Sequence, residues 1–214
     1  MKKMLITGIF ALLAAMGPGT DAMQPALGNQ SETVVEAMAS RDRIEVKYPV
    51  WKGGTPLARA KVNSAIEAEL YSFYTHLPED NEFGPTQGYA TWQAGLQKDG
   101  VHSYVLLEST MMSRAAHPSH HIVGLNFRED GSKITYAQIL KILPHQTKEE
   151  IQAIIARQAE EQGLSLFPDA LETITHWPKD FYIGEDRGIY FIFQHYDIAP
   201  YAAGWIAIKA GEWK

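Results

Sequence analysis

Three histidines fall within five residues, in the segment Ala116-His117-Pro118-Ser119-His120-His121. Imidazole is a frequent zinc ligand and the commonest general base near neutral pH, so the cluster raises two chemistries. The spacing serves neither well. Pro118 excludes a regular helix across the cluster. On a strand, His120 and His121 would point to opposite faces. No neighbouring carboxylate completes a zinc pattern, so the expectation is no metal and no cofactor. His117 reads best as a hydrogen-bonding residue that orders the loop before a strand. A Ser-His-Asp set can be written from Ser113 or Ser119 with His117 and Asp197. A triad is recognised by geometry, however, and the chain has no Gly-x-Ser-x-Gly elbow. Glu108 with Glu185 or Asp186 would be the pair for glycosidase-type chemistry, against the simpler reading of solvated charges. No catalytic residue is assigned.

The stronger signal is aromatic. Tyr196, Tyr201 and Trp205 surround the irregular run Tyr196-Asp197-Ile198-Ala199-Pro200-Tyr201-Ala202-Ala203-Gly204. Aromatic residues near an irregular edge are common on recognition surfaces, and equally serve as core residues with satisfied polar tips. The candidate binding residues are therefore His117, Tyr196, Asp197, Tyr201 and Trp205. Asp197 is expected to accept backbone N–H groups where the strand breaks. With no P-loop, no Gly-rich phosphate loop and no basic aromatic strip, nucleotide and nucleic-acid binding have no support.

The elements that position these residues follow from pattern. Phe181–Ile183 and Ile189–Phe193 flank a polar loop bounded by Gly184 and Gly188, a hairpin signal with glycines available for positive φ. Both parities of the second run are apolar, so both its faces should be covered. Pro200 marks a break or an edge, Gly204 a bulge or close approach, and Trp205–Ile208 resumes as strand. Upstream, residues 44–50 alternate as a half-buried strand that Pro49 places at an edge or at its end. Thr55 and Pro56 start a helix whose stripe is Val62, Ile66, Leu70, Phe73 and Leu77. Strands follow at 89–96, 101–112 and 121–127, with Asp99-Gly100 as a tight-turn pair. Two helices begin at Thr135 and Thr147, each with Gln138 or Glu150 in the capping-box position, and Gly163 ends the second. This order lacks regular βαβ alternation. It predicts an α+β fold, a mostly antiparallel sheet with helices on one face, in two intimately packed parts.

The chain has 214 residues, 45% hydrophobic and 21% charged, an ordinary globular composition that allows one core or two small ones. Lys2 and Lys3, the apolar run Met4–Met16 and the small residues before Met23 read as a signal peptide over 1–22, cut near Ala22. The apolar run is short for a membrane span, which needs about 20 residues. Cleavage would remove Lys2, Lys3 and Asp21, turning 19 basic and 25 acidic residues into 17 and 24. An acidic body is a poor nucleic-acid binder and is steered towards basic partners. The absence of cysteine excludes disulfides, a thiol nucleophile and thiolate metal sites, and fits a periplasmic or secreted bacterial protein. Residues 23–41 are polar and read as a mobile leader. The body divides into an N-terminal α+β part, 42–127, and a C-terminal α+β part, 128–214.

Ala116-His117-Pro118, Gly124-Leu125-Asn126-Phe127, Asp130-Gly131-Ser132-Lys133-Ile134-Thr135, Phe181-Tyr182-Ile183 and the Ala-Pro-Tyr-Ala-Ala-Gly segment together resemble the RsiV-like extracytoplasmic domain of unknown function. That domain also occurs ahead of the catalytic domain of the peptidoglycan deacetylase PdaC. The resemblance covers Ile44 to the end, and Ala199–Gly204 is its most specific part. It implies an α+β fold of two packed parts. In RsiV the domain is the sensor of an anti-sigma factor and binds lysozyme. One departure stands out: Arg114-Ala115 occupies places where members often carry paired glycines. The resulting expectation is an exported, non-enzymatic binding domain for a protein or cell-envelope component, with a lysozyme-like basic enzyme as the first partner to test. The rival is a cell-wall-active hydrolase using His117 with a nearby carboxylate or serine.

Overall fold

The computed structural model of the chain describes residues 33–41, 43–144 and 146–214. The signal peptide expected over 1–22, and the leader as far as residue 32, lie outside the described residues. The end of that leader is not loose chain. Val34–Arg41 forms strand β1, paired antiparallel with β2 (Ile44–Trp51) along its whole length, from Val34 opposite Trp51 to Arg41 opposite Ile44. The polar composition hid this strand because, among its described side chains, Val34 alone is buried, while the Glu36 carboxylate accepts a hydrogen bond from the Trp92 indole.

Helix α1 (Pro56–Thr75) starts where the cap predicts. The Thr55 hydroxyl accepts the Ala58 N–H, and Pro56 takes a first-turn position that needs no donor. Its buried face, Ala58, Val62 and Ile66, lies on the first sheet. That sheet runs β1-β2-β3-β4-β5, with β3 at Gln87–Ala94, β4 at Val101–Met111 and β5 at Ser119–Arg128. All its pairings are antiparallel except β2 with β3, which is parallel and confined to Ile44–Val46. Pro49 lies beyond that short ladder, so its missing N–H costs β3 nothing. Asp99 and Gly100 both take positive φ, 56° and 72°, as a tight hairpin turn requires.

The remaining strands form a separate antiparallel sheet, β6 (Phe181–Ile183), β7 (Gly188–Phe193) and β8 (Ile206–Glu212). The α+β expectation holds, with the strands divided between two stacked sheets. Val105, Leu107 and Ile122 of the first sheet pack on Tyr182, Tyr190, Ile192 and Trp205 of the second. The outer face of the second sheet is covered by helices α2 (Tyr136–Leu140), α3 (Lys148–Glu161) and α4 (Ala170–Thr173) through Ile139, Ile151, Ile155 and Ala170. Capping boxes at Thr135–Gln138 and Thr147–Glu150 start α2 and α3. Burial of β7 on both sides thus has a physical cause: a sheet below and helices above. In the β6–β7 loop, the positive φ falls on Arg187 (65°), not on Gly184 or Gly188. Gly188 is needed for space, because a Cβ there would meet the Tyr190 ring, Lys209 and Asp186 within 2.9 Å.

The two sheets touch through backbone. Strand β6 crosses the first sheet where Gly124 on β5 and Gly95 just past β3 offer no side chain. The Ile183 carbonyl accepts the Leu96 N–H, and the Ile183 N–H reaches the Ser103 hydroxyl at 3.0 Å. Asn126 donates to the Phe181 carbonyl at 2.7 Å and accepts from Ser103 at 2.8 Å. Ser103 and Asn126 are 0% and 3% exposed, so their polar groups are satisfied by strand backbone instead of water.

Side-chain amides close sheet edges in the same way. Gln194 takes both the N–H and the C=O of Ile122 at the β5 edge, and Gln158 does so for Lys209 at β8. Each amide imitates one residue of a neighbouring strand and blunts an edge open to foreign pairing. Gln158→Ala leaves both Lys209 backbone groups without these partners. It is expected to lower stability by about 1–2 kcal/mol, read as a lower urea midpoint at constant slope.

Candidate binding face

Strand alternation sends His120 and His121 to opposite sides of β5. His121 faces the α1 side, with its Nδ1 3.3 Å from a Glu108 carboxylate oxygen. Glu108 is 4% exposed, and its other oxygen has no hydrogen-bond partner among the described residues. Burial raises the Glu108 carboxyl, with Glu69 and Asp180 adding repulsion against the lowering by His121. The hydrogen bond to Glu108 in turn raises His121. Neither Glu185 nor Asp186 is among the groups coupled to Glu108, which are His121, Glu69 and Asp180. Asp186 is engaged by Lys209, the Tyr190 hydroxyl and the Gly188 N–H in the β6–β7 turn.

His120 faces the other side, towards the second sheet. Its Nδ1 lies 2.7 Å from the Ser109 hydroxyl and its Nε2 2.9 Å from the Tyr201 hydroxyl. Tyr201 sits in the 3-10 turn Tyr201–Ala203 and donates to the Pro118 carbonyl at 3.1 Å. That turn is where Pro200 and Gly204 (φ 72°) break the strand pattern. His117 stacks on Tyr201 with ring centroids 3.9 Å apart. Its Nδ1 hydrogen-bonds the Pro118 carbonyl at 3.0 Å, and its Nε2 lies 3.4 Å from the Tyr196 hydroxyl. His195 completes the cluster, 4.8 Å from the His120 ring and 4.9 Å from Tyr201. Burial pushes His195 down to about 4, helped by repulsion from His120 and His117, and burial also lowers His120.

Of the sequence candidates, His117, Tyr196 and Tyr201 meet. Asp197 stands beside them but spends its carboxylate on the Gln194 N–H at 2.6 Å, the local role expected at the strand break. Burial raises that carboxyl. Trp205 is not part of the face: at 1% exposure it is a core residue between the sheets. The residues missed from sequence are Ser109, His120 in its actual partnership, and His195. Adjacency of His195 to Tyr196 was the available signal, but only tertiary contact between β5 and the 194–204 segment brings the imidazoles together.

The proposed triad does not assemble. Ser113 donates to the Phe83 carbonyl, and among the described residues no serine or carboxylate is hydrogen-bonded to His117. Among the described residues no three His, Cys, Asp or Glu side chains are arranged to hold a metal ion. What distinguishes the face is strain beside exposed rings. Tyr196 takes φ 67° with 54% of its surface exposed. Arg114 takes φ 62°, a glycine-like conformation, and lays its guanidinium over the exposed Phe83 ring at 4.4 Å. A separate groove of about 540 Å³ lies between α3 and β8, lined by Arg157, Gln158, Lys209 and Glu212 and by none of these face residues.

Comparison with known proteins supplies a family match without a function. Among the described residues no helix is long and apolar enough to cross a membrane. No curated protein matches the chain. A crystal structure of a DUF3298 family protein from Pseudomonas aeruginosa PAO1 is similar, with a TM-score of 0.51, 14% identity, and coverage of 88% of this chain and 92% of that one. A member of the same family from Bacteroides fragilis NCTC 9343 aligns with a TM-score of 0.46 and 16% identity, over 87% of this chain and 91% of that chain. Residues 135–209, which run from the start of α2 into β8, match the family described as a protein of unknown function, DUF3298.

Proposed function

We propose that the protein is an exported, non-enzymatic binding domain that recognises a protein or cell-envelope component through His117, Tyr196 and Tyr201. The observation that carries this reading is Tyr196. A left-handed backbone at a residue with a Cβ costs about 1–2 kcal/mol, and this one holds up a ring that is mostly in water. Within the chain the ring meets only the edge of the cluster, 5.7 Å from Tyr201 and 6.4 Å from His117, which leaves it presented as an aromatic anchor for a partner. Both nitrogens of His117 are spent on the loop and on Tyr196, which suits a fixed contact surface better than proton transfer. The RsiV-like resemblance and the net charge of -6 favour a lysozyme-like basic enzyme as the first partner to try.

The test is calorimetric titration of the mature protein with a panel of lysozymes at low and moderate salt. Tyr196→Ala is expected to weaken binding at least about tenfold, the size of a modest hot spot, without loss of fold. Absence of heat at both salts removes that partner. Tyr196→Gly tests the face without one: it should hold or raise the urea midpoint, because glycine relieves the strained φ. A clear loss of stability would make Tyr196 a structural residue.

One observation favours the hydrolase reading, the 2.7 Å contact between Ser109 and His120. Here the imidazole is backed by the Tyr201 hydroxyl instead of a carboxylate, and burial makes it a weaker base. Fluorophosphonate labelling of the wild type but not of Ser109→Ala would establish that reading, and no label would dismiss it.

A further inference from the structure

The segment that carries Tyr196 and Tyr201 meets the first sheet at His120, with the His195 ring packed against that contact. The Tyr201 hydroxyl has one proton, and it goes to the Pro118 carbonyl. The bond between Tyr201 and His120 therefore uses the His120 Nε2–H as donor. Nδ1 of His120 is then bare and accepts from Ser109. Both nitrogens of a neutral ring are satisfied in this way; a second ring proton would turn the Nδ1 contact round, with the Ser109 hydroxyl accepting, so at this ring it is burial that opposes the charge.

His195 lies against this arrangement with a buried Nδ1 that has no hydrogen-bond partner among the described residues. A bare lone pair is tolerable there, but a doubly protonated ring would place an N–H where nothing accepts it. The groups that face His195 are His120 from β5, His117 from the β4–β5 connection and Tyr201 from its own segment. Ser109 of β4 stands behind His120. The charged groups coupled to His120 and His195 are imidazoles alone, so protonation brings repulsion without a compensating carboxylate. Asp197, two residues on, is held by the Gln194 N–H.

We infer that His120 and His195 form an acid-sensitive latch: closed, it seats Tyr201 against β5 and assembles the Tyr196–Tyr201 face; protonated, it loosens that face while Ile198 and Ala199 stay in the core and the two sheets stay folded. The sheets are joined elsewhere, through Gly124, Ser103 and Asn126, so release of the latch need not separate them. Buried neutral histidines hold their protons off until well below the ordinary value of about 6.5. Opening therefore belongs between that value and about 4. The inference goes beyond the proposed binding role and needs no partner for its test.

The experiment is a two-dimensional NMR titration of the mature protein from pH 8 to pH 4, following histidine ring and backbone amide signals. His195 is expected to titrate at least one pH unit below the ordinary histidine value of about 6.5. The amides of 196–203 should shift or broaden in the same step, while those of Trp92 and Leu106 in the first sheet hold their positions. In His195→Phe the step should move at least half a pH unit lower, and His195→Gln serves where that variant does not fold. If the 196–203 amides hold until the whole protein unfolds, or their transition is the same in the His195 variants, the latch does not exist. A loss of partner binding with an intact latch would concern the binding reading alone.

Discussion

Gly124→Ala is expected to cost more than about 3 kcal/mol and to be among the most damaging methyl additions in the chain. A Cβ at Gly124 would stand 1.8 Å from the Phe181 carbonyl oxygen and 2.6 Å from its carbon. Neither atom can turn away as a side chain would, because both belong to the backbone of β6. Moving β6 aside would also break the Asn126 bond to the same carbonyl and strip the Ile183 N–H of Ser103 and Asn126. Gly95→Ala strikes the same strand from the other end, where a Cβ would meet the Ile183 carbonyl at 2.3 Å. The informative control is Gly163→Ala at the end of α3. There φ is 66° with nothing within 4 Å of a Cβ, so only backbone strain of about 1 kcal/mol is added. Urea unfolding of the three variants orders them directly. Gly124→Ala falling level with or above Gly163→Ala would mean that the sheets do not meet through backbone.

Much of the fold was legible because local signals and tertiary demands agree. Thr55-Pro56, Thr135 with Gln138 and Thr147 with Glu150 started helices as their side chains predict, and Asp99-Gly100 made its turn. The apolar parity of Ile189–Phe193 foretold coverage on both faces. The failures share a cause. Strand β1 draws its order from a partner strand, not from its own composition. The parallel contact of β2 with β3 leaves no mark in either sequence. Arg187 takes the positive φ that the neighbouring glycines seemed to offer, while Gly188 and Gly124 are glycines because something else occupies the space. Glycine by itself does not say which of these two reasons applies.

The candidate face was legible in part for the same reason. His117, Tyr196 and Tyr201 could be chosen by residue type and by an irregular stretch, but their mutual stacking depends on two loops more than 75 residues apart in sequence. Trp205 has the composition of an interface residue and the position of a core residue. His195 offered no motif, since the imidazoles it meets, His117 and His120, come from a distant part of the chain. The proposed face is thus built where β5 and the 194–204 segment touch, with the sheets as the frame that holds both.

Replacing Glu108 by leucine is expected to stabilise the protein by about 2 kcal/mol at pH 8. The carboxylate lies on the face of β4 that continues Tyr104 and Leu106, beside Val123, so a leucine has apolar neighbours to join. Among the described residues one oxygen has no hydrogen bond, and the other is paired with a His121 ring that is itself 57% exposed. Glu69 and Asp180 repel the charge. A carboxyl raised in the folded state binds protons more tightly there than in the unfolded chain. Stability from it is therefore full below the ordinary glutamate range of about 4.5 and falls as pH rises through the folded value. His121 is raised by the same contact, so its contribution is also present at low pH and lost as pH rises through its own folded value. Both groups tilt the wild type towards lower stability at alkaline pH. The Glu108→Leu gain should accordingly be largest at pH 8 and shrink towards pH 4, where the wild-type carboxyl is neutral. Urea unfolding of both proteins across that range reads the slope as well as the gain. A variant less stable than wild type at pH 8 would show that Glu108 and His121 act as a stabilising ion pair, and that the charges of Glu69 and Asp180 are screened from them.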